Sequence, residues 1–453
     1  MSDLLRIGQS GVSAYATALA AIGNNVSNAN TPGYTRRQVT LQQNTSADAT
    51  QLYYTSRTEF GGVLTTDVTR AGDSYLSSAA RTAAGTAGYT GMHSTWLANA
   101  EAALNDGTTG VGQSATAFFN AGDQLAANPG NTGSRNQFLA SLDQLASSIR
   151  TTAGALANTS NGITTAAETS IHAVNSDLDA LDEINDSLNH QVPGSSAQAD
   201  LMDQRDRLLD DLASHIGITV SIADNGTAKV SLASNALQLT TDTSGNVPMA
   251  GVRFAMAVGG NGTLSLQAVS IGKSQPITAP GGELGGLIDS ASTVADRRNT
   301  LDKMATDFAT AVNAWQAAGQ TDAGTPGGAL LTGTDAASLT LATSDPAAIA
   351  AATPGGAANG NLLALGSLRG AGGVEQRWSA MVTDQGQMVA SAQSADTAAS
   401  SARDSAFSAR DTTTGVDLNT EAAEMIRYQQ AYNGAAKVIQ VAKDTMQSIL
   451  DLF

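Results

Sequence analysis

Gly272-Lys273-Ser274 is the segment that most resembles a ligand-binding motif, because it matches the end of a phosphate-binding loop. The complete loop needs a glycine five positions before Gly272, where this chain has Gln267, and a helix directly after it, where this chain has Pro276. The glycine pairs of 281–286 also lack the spacing of a dinucleotide fingerprint. We therefore predict a strand end at 272–274 and a domain junction at 281–286, with no phosphate site at either place.

The histidines and carboxylates lack the spacings of metal ligands or of catalytic groups. The histidines form no i, i+4 pair and no H-E-x-x-H motif: His93, His172, His190 and His215. One group of carboxylates falls on a predicted helix, without the central glycine of a calcium-binding loop: Asp177, Asp179, Asp182, Glu183 and Asp186. We interpret the histidines as solvated or capping side chains and the carboxylates as a solvated helix face. The sequence thus predicts no catalytic residue, no cofactor, no metal site and no enzymatic activity.

Composition narrows the classes of function further. The chain has 453 residues, which is about three domains by length. Its 40 acidic and 23 basic residues give a formal net charge of −17. Because this charge repels phosphate backbones and anionic lipid surfaces, we expect no nucleic-acid partner and no membrane partner. Cysteine is absent, which excludes disulfides and thiolate chemistry.

The hydrophobic segments predict neither a membrane span nor a Sec signal peptide. No run approaches the roughly 18 apolar residues that a spanning helix needs. Asp3 and Gln9 interrupt the basic and apolar regions of a signal peptide. We expect that any secretion proceeds without a cleaved signal peptide.

The N-terminal segment has the apolar spacing of a coiled-coil helix. Its apolar residues recur at steps of three, four and seven: Leu5, Val12, Tyr15, Leu19, Ile22 and Val26. Such a narrow stripe is typical of a coiled coil rather than of a globular helix. The loop 28–34 ends the helix, because Pro32 disfavours helical dihedrals at Thr31 and Gly33 suits a turn with positive φ.

The C-terminal segment repeats this pattern more strictly. One row recurs at every seventh residue: Leu418, Met425, Tyr432, Ile439, Met446 and Phe453. A second row does the same, with Glu421 as its one polar member: Glu421, Tyr428, Ala435, Ala442 and Ile449. A sustained period of about 3.5 residues requires a supercoiled partner helix.

We predict that the two terminal helices pair with each other as a coiled coil. On the pattern alone, an ordinary helical hairpin that takes no part in assembly is an equally good interpretation. Small residues such as Ala16, Ala20, Ala435 and Ala442 line the pair, so it buries little surface, and a two-helix unit of this kind is marginal alone. We therefore expect the pair to become ordered when identical copies assemble, with the apolar rows as the assembly interface.

The interior is predicted to be mainly helical. Spacings of three and four residues predict a very long helix, or two, from Asn131 to about Val192, and further helices over 200–215, 287–315 and 374–410. A period of two around Asp224-Asn225-Gly226 predicts a hairpin over 218–232. A second predicted hairpin follows over 254–269.

The predicted fold class is mainly α with an inserted small β domain, arranged as an elongated multi-domain rod. We predict a terminal coiled-coil domain, a long-helix middle domain, a small β domain, and a Gly/Ala/Pro-rich region of loops and short strands. The terminal coiled-coil domain comprises 1–60 and 411–453, and the middle domain comprises 61–215, 281–320 and 371–410. The β domain comprises 216–280, and the loop region comprises 321–370.

The stretch GNNVSNANTPGYTR at 23–36 resembles the N-terminal signature of the bacterial flagellar axial proteins, a family of rod, hook and hook-associated proteins. Its signature loop includes Asn28, Thr31, Pro32, Gly33 and Tyr34. EAAEMIRYQQAY at 421–432, followed by AAKVI at 435–439, is more similar to the first hook-associated proteins than to rod and hook proteins. The interior segments Asp203-Gln204-Arg205-Asp206, 217–220 and 282–287 follow the order found in those proteins.

The resemblance implies a structural subunit of the bacterial flagellum. Identical copies would form a ring that joins the hook to the filament and is required for filament assembly. The implied partners are the hook protein, a second junction protein and an export chaperone at the C-terminal helix. The implied location is extracellular, after flagellar type III export. Residues 319–373 match poorly, and an additional surface domain of longer members is expected to be missing.

Three alternatives stay open. A hook or rod subunit would polymerise alone into long tubes. A secreted adhesin or effector with coiled-coil ends would form a stable free oligomer. A secreted hydrolase would show turnover that a single Asp, Ser or His substitution abolishes.

Overall fold

The computed structural model describes residues 2–45, 60–104, 107–241, 251–270 and 273–451. The chain divides into two compact units. The first comprises Met1–Ala84, Asn175–Arg253 and Ser400–Phe453. The second comprises Gly85–Val174 and Phe254–Ala399.

Helices make up most of the described residues. They are α1 (Ser2–Ser27), α2 (Ser74–Ala103), α3 (Val111–Ala127), α4 (Thr132–Asn189), α5 (Ser196–His215), α6 (Gly282–Ala318), α7 (Gly360–Ala364), α8 (Val374–Thr414) and α9 (Leu418–Leu450). Short 3₁₀ helices cover Pro346–Ala348 and Leu365–Arg369. Side-chain caps fix two helix starts, since Ser195 accepts a hydrogen bond of 3.1 Å from Gln198 N and Asp417 accepts one of 3.1 Å from Asn419 N.

The strands form small sheets. They are β1 (Arg37–Thr45), β2 (Phe60–Arg70), β3 (Ile218–Ile222), β4 (Ala228–Leu232), β5 (Arg253–Val258), β6 (Leu264–Ser270), β7 (Lys273–Ile277), β8 (Leu331–Thr332) and β9 (Thr340–Leu341). β1 pairs with β2, β3 with β4, and β8 with β9, all antiparallel, and the three-stranded sheet has the order β5-β6-β7. In the β3–β4 hairpin Val220 faces Val230, and Gly226 takes a φ of 89° in the turn, which glycine adopts without steric cost.

In the first unit, α1 packs against α9 and against both strands of the β1–β2 hairpin. Ala18, Ala21 and Val39 form a buried apolar cluster there, and Tyr428 packs against it. Because two of these three side chains are alanine, α1 lies close to its neighbours but buries little apolar surface.

In the second unit, large apolar side chains of α3, α4, α6 and α8 form one core. The Phe118 ring centroid lies 5.1 Å from that of Phe138 and 5.8 Å from that of Phe308. Trp378 on α8 is fully buried in the same cluster. The second unit therefore has the bulky apolar core that the helix pair of the first unit lacks.

The Gly-, Ala- and Pro-rich region 321–370 belongs to the second unit and consists of loops between short strands and short helices. Gln316 Nε2 donates a hydrogen bond of 2.6 Å to the Ala348 carbonyl, and Trp315 Nε1 donates one of 2.7 Å to the Asn361 carbonyl. These bonds tie the region to the end of α6. The predicted short strands around Leu339 and Leu341 correspond to β9, which pairs with β8.

The predicted mainly α fold with small antiparallel sheets and paired terminal helices is confirmed. The predicted helix start after Gly286 is wrong, because α6 begins at Gly282. Glycine is required inside this helix: a Cβ on Gly286 would lie 2.3 Å from the Tyr89 carbonyl oxygen of α2. The β1–β2 hairpin was not predicted. Lys273 begins β7, and Gly272 lies outside the described residues.

Candidate functional site

The terminal helices α1 and α9 form an antiparallel pair whose close approach depends on glycine. A Cβ on Gly8 would lie 2.6 Å from Ile439 Cγ1, and one on Gly11 would lie 3.0 Å from Ala435 Cβ. Farther along α1, the Tyr15 and Tyr428 rings are 6.2 Å apart between centroids. As the α1 number rises along these contacts, the α9 number falls, which defines the antiparallel direction.

The predicted interface residues occupy three kinds of environment. Ile22 is buried. Others are half-buried: Leu5, Val12, Tyr15, Leu19, Met425, Tyr428, Tyr432 and Ile439. A third group is exposed in the single chain: Val26, Leu418, Met446 and Ile449. Phe453 lies outside the described residues.

Much of the apolar surface of α9 has no cover within the described part of the chain. Leu450 is 63% exposed, Val441 60% and Ile426 58%. Buried residues of α9 are Glu421 and Ala442. Soluble helices normally bury their large apolar side chains, so this surface has the composition of an interface.

The signature loop forms two successive turns after α1. Thr31 N donates a hydrogen bond of 2.9 Å to the Asn28 carbonyl, and Tyr34 N donates one of 3.1 Å to the Thr31 carbonyl. Gly33 has a φ of 73°, and a Cβ there would lie 2.5 Å from Arg207 Cγ. Glycine is thus required both by the backbone conformation and by the neighbouring side chain. Pro32 and Thr31 are exposed.

Asn25 connects the signature loop, β1 and α9 through four hydrogen bonds. Its Oδ1 accepts from the Tyr34 hydroxyl and from Arg37 N, each at 2.9 Å. Its Nδ2 donates to the Arg37 carbonyl at 2.8 Å and to Glu421 Oε2 at 3.0 Å. Arg36 Nε donates to the other Glu421 oxygen at 2.6 Å. We call Asn25, Tyr34, Arg36, Arg37 and Glu421 the Asn25 cluster.

The Asn25 cluster is closed to solvent at its centre. Asn25 is fully buried and Glu421 is 1% exposed. Burial raises the pKa of Tyr34 to about 12, against the opposing effect of the Arg37 charge, so this hydroxyl remains a donor at neutral pH. A buried carboxylate is stable only when it is paired and hydrogen-bonded, and Glu421 satisfies both conditions.

A second charged group lies on α5. Four of its aspartates, at steps of three and four residues, lie on one face of the helix. They pair with arginines from β1, β2, α2, α8 and α5 itself. We call this group the arginine–aspartate ladder; its members are Asp200, Asp203, Asp206, Asp210, Arg37, Arg70, Arg81, Arg205 and Arg410.

Each inner aspartate of the ladder lies between two or more arginines. Asp203 accepts from Arg37 and Arg70, both at 2.8 Å. Asp210 pairs with Arg81 and Arg410. Burial would raise the pKa of Asp206, but the positive charges of Arg205 and Arg70 outweigh it and hold that pKa below its usual value. Asp206 is therefore ionised at neutral pH. The ion pairs of the ladder hold α5 to the β1–β2 hairpin, α2 and α8.

The geometry offers little for catalysis in the residues that the structure describes. His93 Nδ1 lies 3.2 Å from Ser290 Oγ, which is the arrangement of a base beside a hydroxyl. However, Ser290 is fully buried and donates to the Gly286 carbonyl at 2.7 Å, so a substrate has no access to it. His190 Nδ1 lies 2.8 Å from the Asp186 carbonyl, as a capping histidine does. The predicted solvated acidic face is only partly observed, because Asp179 and Asp182 pair with Arg253.

None of the helices in the described ranges is both long enough and apolar enough to cross a membrane.

Sequence reasoning missed the Asn25 cluster and the ladder. The available indication was Glu421, the one polar member of the two C-terminal rows.

Models of three protein families match separate parts of the chain. The flagellar hook-associated protein FlgK helical domain matches residues 97–331. The flagella basal body rod protein model matches 5–35, which contains most of α1 and the signature loop. The model of the C-terminal part of flagellar basal body rod FlgEFG proteins matches 411–452, which contains α9.

Curated relatives carry the name flagellar hook-associated protein 1. The protein from Salmonella typhimurium is 26% identical over 69% of this chain and 56% of its own length. The protein from Bacillus subtilis is 26% identical over 97% of this chain and 96% of its own length. The chain thus spans about 56% of the length of the Salmonella relative.

A solved structure has a similar fold. The flagellar hook junction protein FlgK from Burkholderia pseudomallei matches with a TM-score of 0.63 and 14% identity, covering 74% of this chain and 99% of that chain. At this identity the likeness concerns the fold alone. The helical-domain model, by contrast, matches more than half of the residues, and the resemblance seen in the terminal motifs is confirmed: the chain belongs to the family of flagellar hook-associated protein FlgK.

Proposed function

We propose that this chain is a structural subunit of the bacterial flagellum that forms the junction between hook and filament and is required for filament assembly. The observation that carries the proposal is the α1–α9 pair. Its contacts rest on Gly8, Gly11 and alanines, while large apolar side chains of α9 are exposed. The names of the relatives, and the family matches at both chain ends, support this assignment.

In this proposal, identical copies cover one another's terminal helices. The half-buried and exposed apolar residues of α1 and α9 form the interface between subunits, and the closed arrangement is a ring. The terminal residues 1–60 and 411–453 form the inner tube. The Asn25 cluster fixes how α1 and α9 align, so every copy presents the same apolar surface to its neighbours.

The proposed partners follow from the position of such a ring. They are the hook protein on one side, a second junction protein on the other, and an export chaperone that covers α9 before assembly. An amphipathic helix with an exposed apolar face is a typical ligand for a helix-binding groove. The proposed location is the extracellular flagellum, reached through flagellar type III export without a cleaved signal peptide.

The test is deletion of the gene in its host, followed by complementation. We expect hooks without filaments and flagellin released into the medium, with filaments restored by the wild-type gene. Filaments of normal length and number in the deletion strain would contradict the proposal.

A hook or rod subunit is the second candidate, because rod-protein models match both ends of the chain. The same deletion separates the two. Loss of the hook itself, or long tubes formed by the purified chain alone, would favour the second candidate. Intact hooks that the purified chain can cap would favour the junction.

A further inference from the structure

Three side chains of the first unit bring potential metal ligands together. Asp177 lies on α4, and Asp211 and His215 lie on α5. One ligand atom from each residue lies within 4.8 Å of the ligand atoms of the other two. Asp211 and His215 are four residues apart and therefore share one face of α5. Sequence reasoning had considered only pairs of histidines at this spacing.

One oxygen of this group lacks a hydrogen-bond donor. Asp177 Oδ2 is buried and accepts no hydrogen bond from any residue that the structure describes. The Asp177 side chain as a whole is half-buried; the negative charge of Asp211 acts on the same carboxylate, and a positive charge on His215 opposes it only in part. A buried carboxylate oxygen beside a second carboxylate is unfavourable unless a positive charge compensates it. A divalent cation between the two carboxylates would supply that charge directly.

We propose that Asp177, Asp211 and His215 bind Zn²⁺ and that the ion joins α4 to α5. Two carboxylates and one imidazole make a mixed oxygen and nitrogen donor set, which suits zinc, whereas Mg²⁺ and Ca²⁺ prefer oxygen alone. Zinc bonds to such ligands are about 2.0–2.2 Å long, so the ligand atoms of a tetrahedral site are roughly 3.4 Å apart. The three ligand atoms, which lie within 4.8 Å of one another, would approach to that separation when the ion binds. One position is left for a fourth ligand.

Calorimetric titration of Zn²⁺ into the purified full-length chain near neutral pH tests the proposal. We expect saturable binding of one ion per chain and a rise in Tm that saturates with it, and no such rise with Mg²⁺. His215→Asn and Asp177→Asn should each weaken binding at least about tenfold. His172→Asn changes an exposed histidine of α4 and should bind zinc as the wild type does.

The proposal is overturned if the wild type shows no saturable binding, or if His215→Asn binds as tightly as His172→Asn. A second measurement, made on the wild type alone, tests the site even if the variants fail to fold. Histidine modification by diethyl pyrocarbonate, mapped by mass spectrometry, should be slowed by Zn²⁺ at His215 and left unchanged at His172 and His190. Equal modification of His215 with and without zinc contradicts the site.

Discussion

Asn25 and Glu421 are separated by 396 positions in the sequence, and Asn25 Nδ2 donates a hydrogen bond of 3.0 Å to Glu421 Oε2. Asn25 stands near the end of α1, and Glu421 stands in the first turn of α9. The bond therefore fixes the antiparallel register at one end of the helix pair, beside the signature loop. Apolar packing alone would allow the two helices to slide, whereas a buried polar pair allows one alignment.

Glu421→Ala should open the helix pair. The substitution leaves the buried Asn25 amide and the Arg36 guanidinium without their acceptor, and breaking a buried charged pair costs about 3–5 kcal/mol. Glu424→Ala is the matched control, because Glu424 pairs with Arg427 at the surface, where such a pair contributes about 1 kcal/mol or less. Filament counts after complementation of the deletion strain, and hydrogen exchange of α1 and α9 in flagella isolated from it, measure both. Equal effects of the two substitutions would show that the Asn25 cluster does not hold the pair.

Gly8→Ala should separate α1 from α9, although alanine favours a helix. The new Cβ would lie 2.6 Å from Ile439 Cγ1 and 3.3 Å from the Ala435 carbonyl oxygen. Gly23→Ala adds the same methyl group to the same helix where nothing lies within 4 Å of it, and should stabilise α1 by up to about 1 kcal/mol. Complementation of the deletion strain measures the effect on assembly. We expect filaments with Gly23→Ala and few with Gly8→Ala; the reverse result would mean that close helix contact is not required.

Ile439→Asp should block incorporation into the flagellum without unfolding the second unit. It places an unpaired charge at a half-buried position beside Gly8, which neighbouring copies would bury further on assembly, at a cost of several kcal/mol. Motility and filament counts in the complemented strain report incorporation, and circular dichroism reports folding. Normal filaments, or loss of helicity throughout the chain, would refute this prediction.

Tyr34→Phe should change stability at alkaline pH. The pKa of Tyr34 is raised from 10.0 to about 12, mainly by burial. Above pH 10 the unfolded chain can lose this proton while the folded chain retains it, so the tyrosine favours folding fully below pH 10 and progressively less up to about pH 12. The variant lacks this part of the pH dependence and also loses a hydrogen bond worth about 1 kcal/mol.

The exposed Tyr75 supplies the control for this prediction, because its side chain is 77% exposed. From pH 9 to about pH 12, the free energy of unfolding of the first unit should fall less steeply with pH in Tyr34→Phe than in the wild type. In Tyr75→Phe it should fall as steeply as in the wild type. Identical curves for the two variants would place the Tyr34 hydroxyl outside the buried cluster.

The helices and turns that depend on residues close together in the sequence could be predicted from local patterns. The strict heptads of the terminal segments predicted α1 and α9 and their pairing, and Asp224-Asn225-Gly226 predicted the β3–β4 turn. The β1–β2 hairpin has a weaker pattern, since Val39 and Leu41 are the only apolar residues among Arg37–Thr45. Its position follows from packing against α1, which a scan for alternation does not detect.

The contact that brings the two terminal helices together could not be predicted from the large apolar residues. Gly8 interrupts the apolar row of α1 and Gly11 lies beside that row, yet both lie against α9 because the absence of a side chain permits close approach. The Asn25 cluster depends on residues from both ends of the chain, and the ladder joins α5 to four other elements. Such contacts become visible only when the tertiary structure places the partners together.

The central claim is that the α1–α9 pair is too thin to be stable until identical copies surround it. Hydrogen exchange of the purified monomer and of isolated flagella tests this most directly. We predict fast exchange of 5–26 and 418–450 in the monomer, slow exchange around Leu142 and Ile149 in the core of the second unit, and strong protection of both terminal helices in the flagellum. Terminal helices as protected in the monomer as that core would contradict the claim.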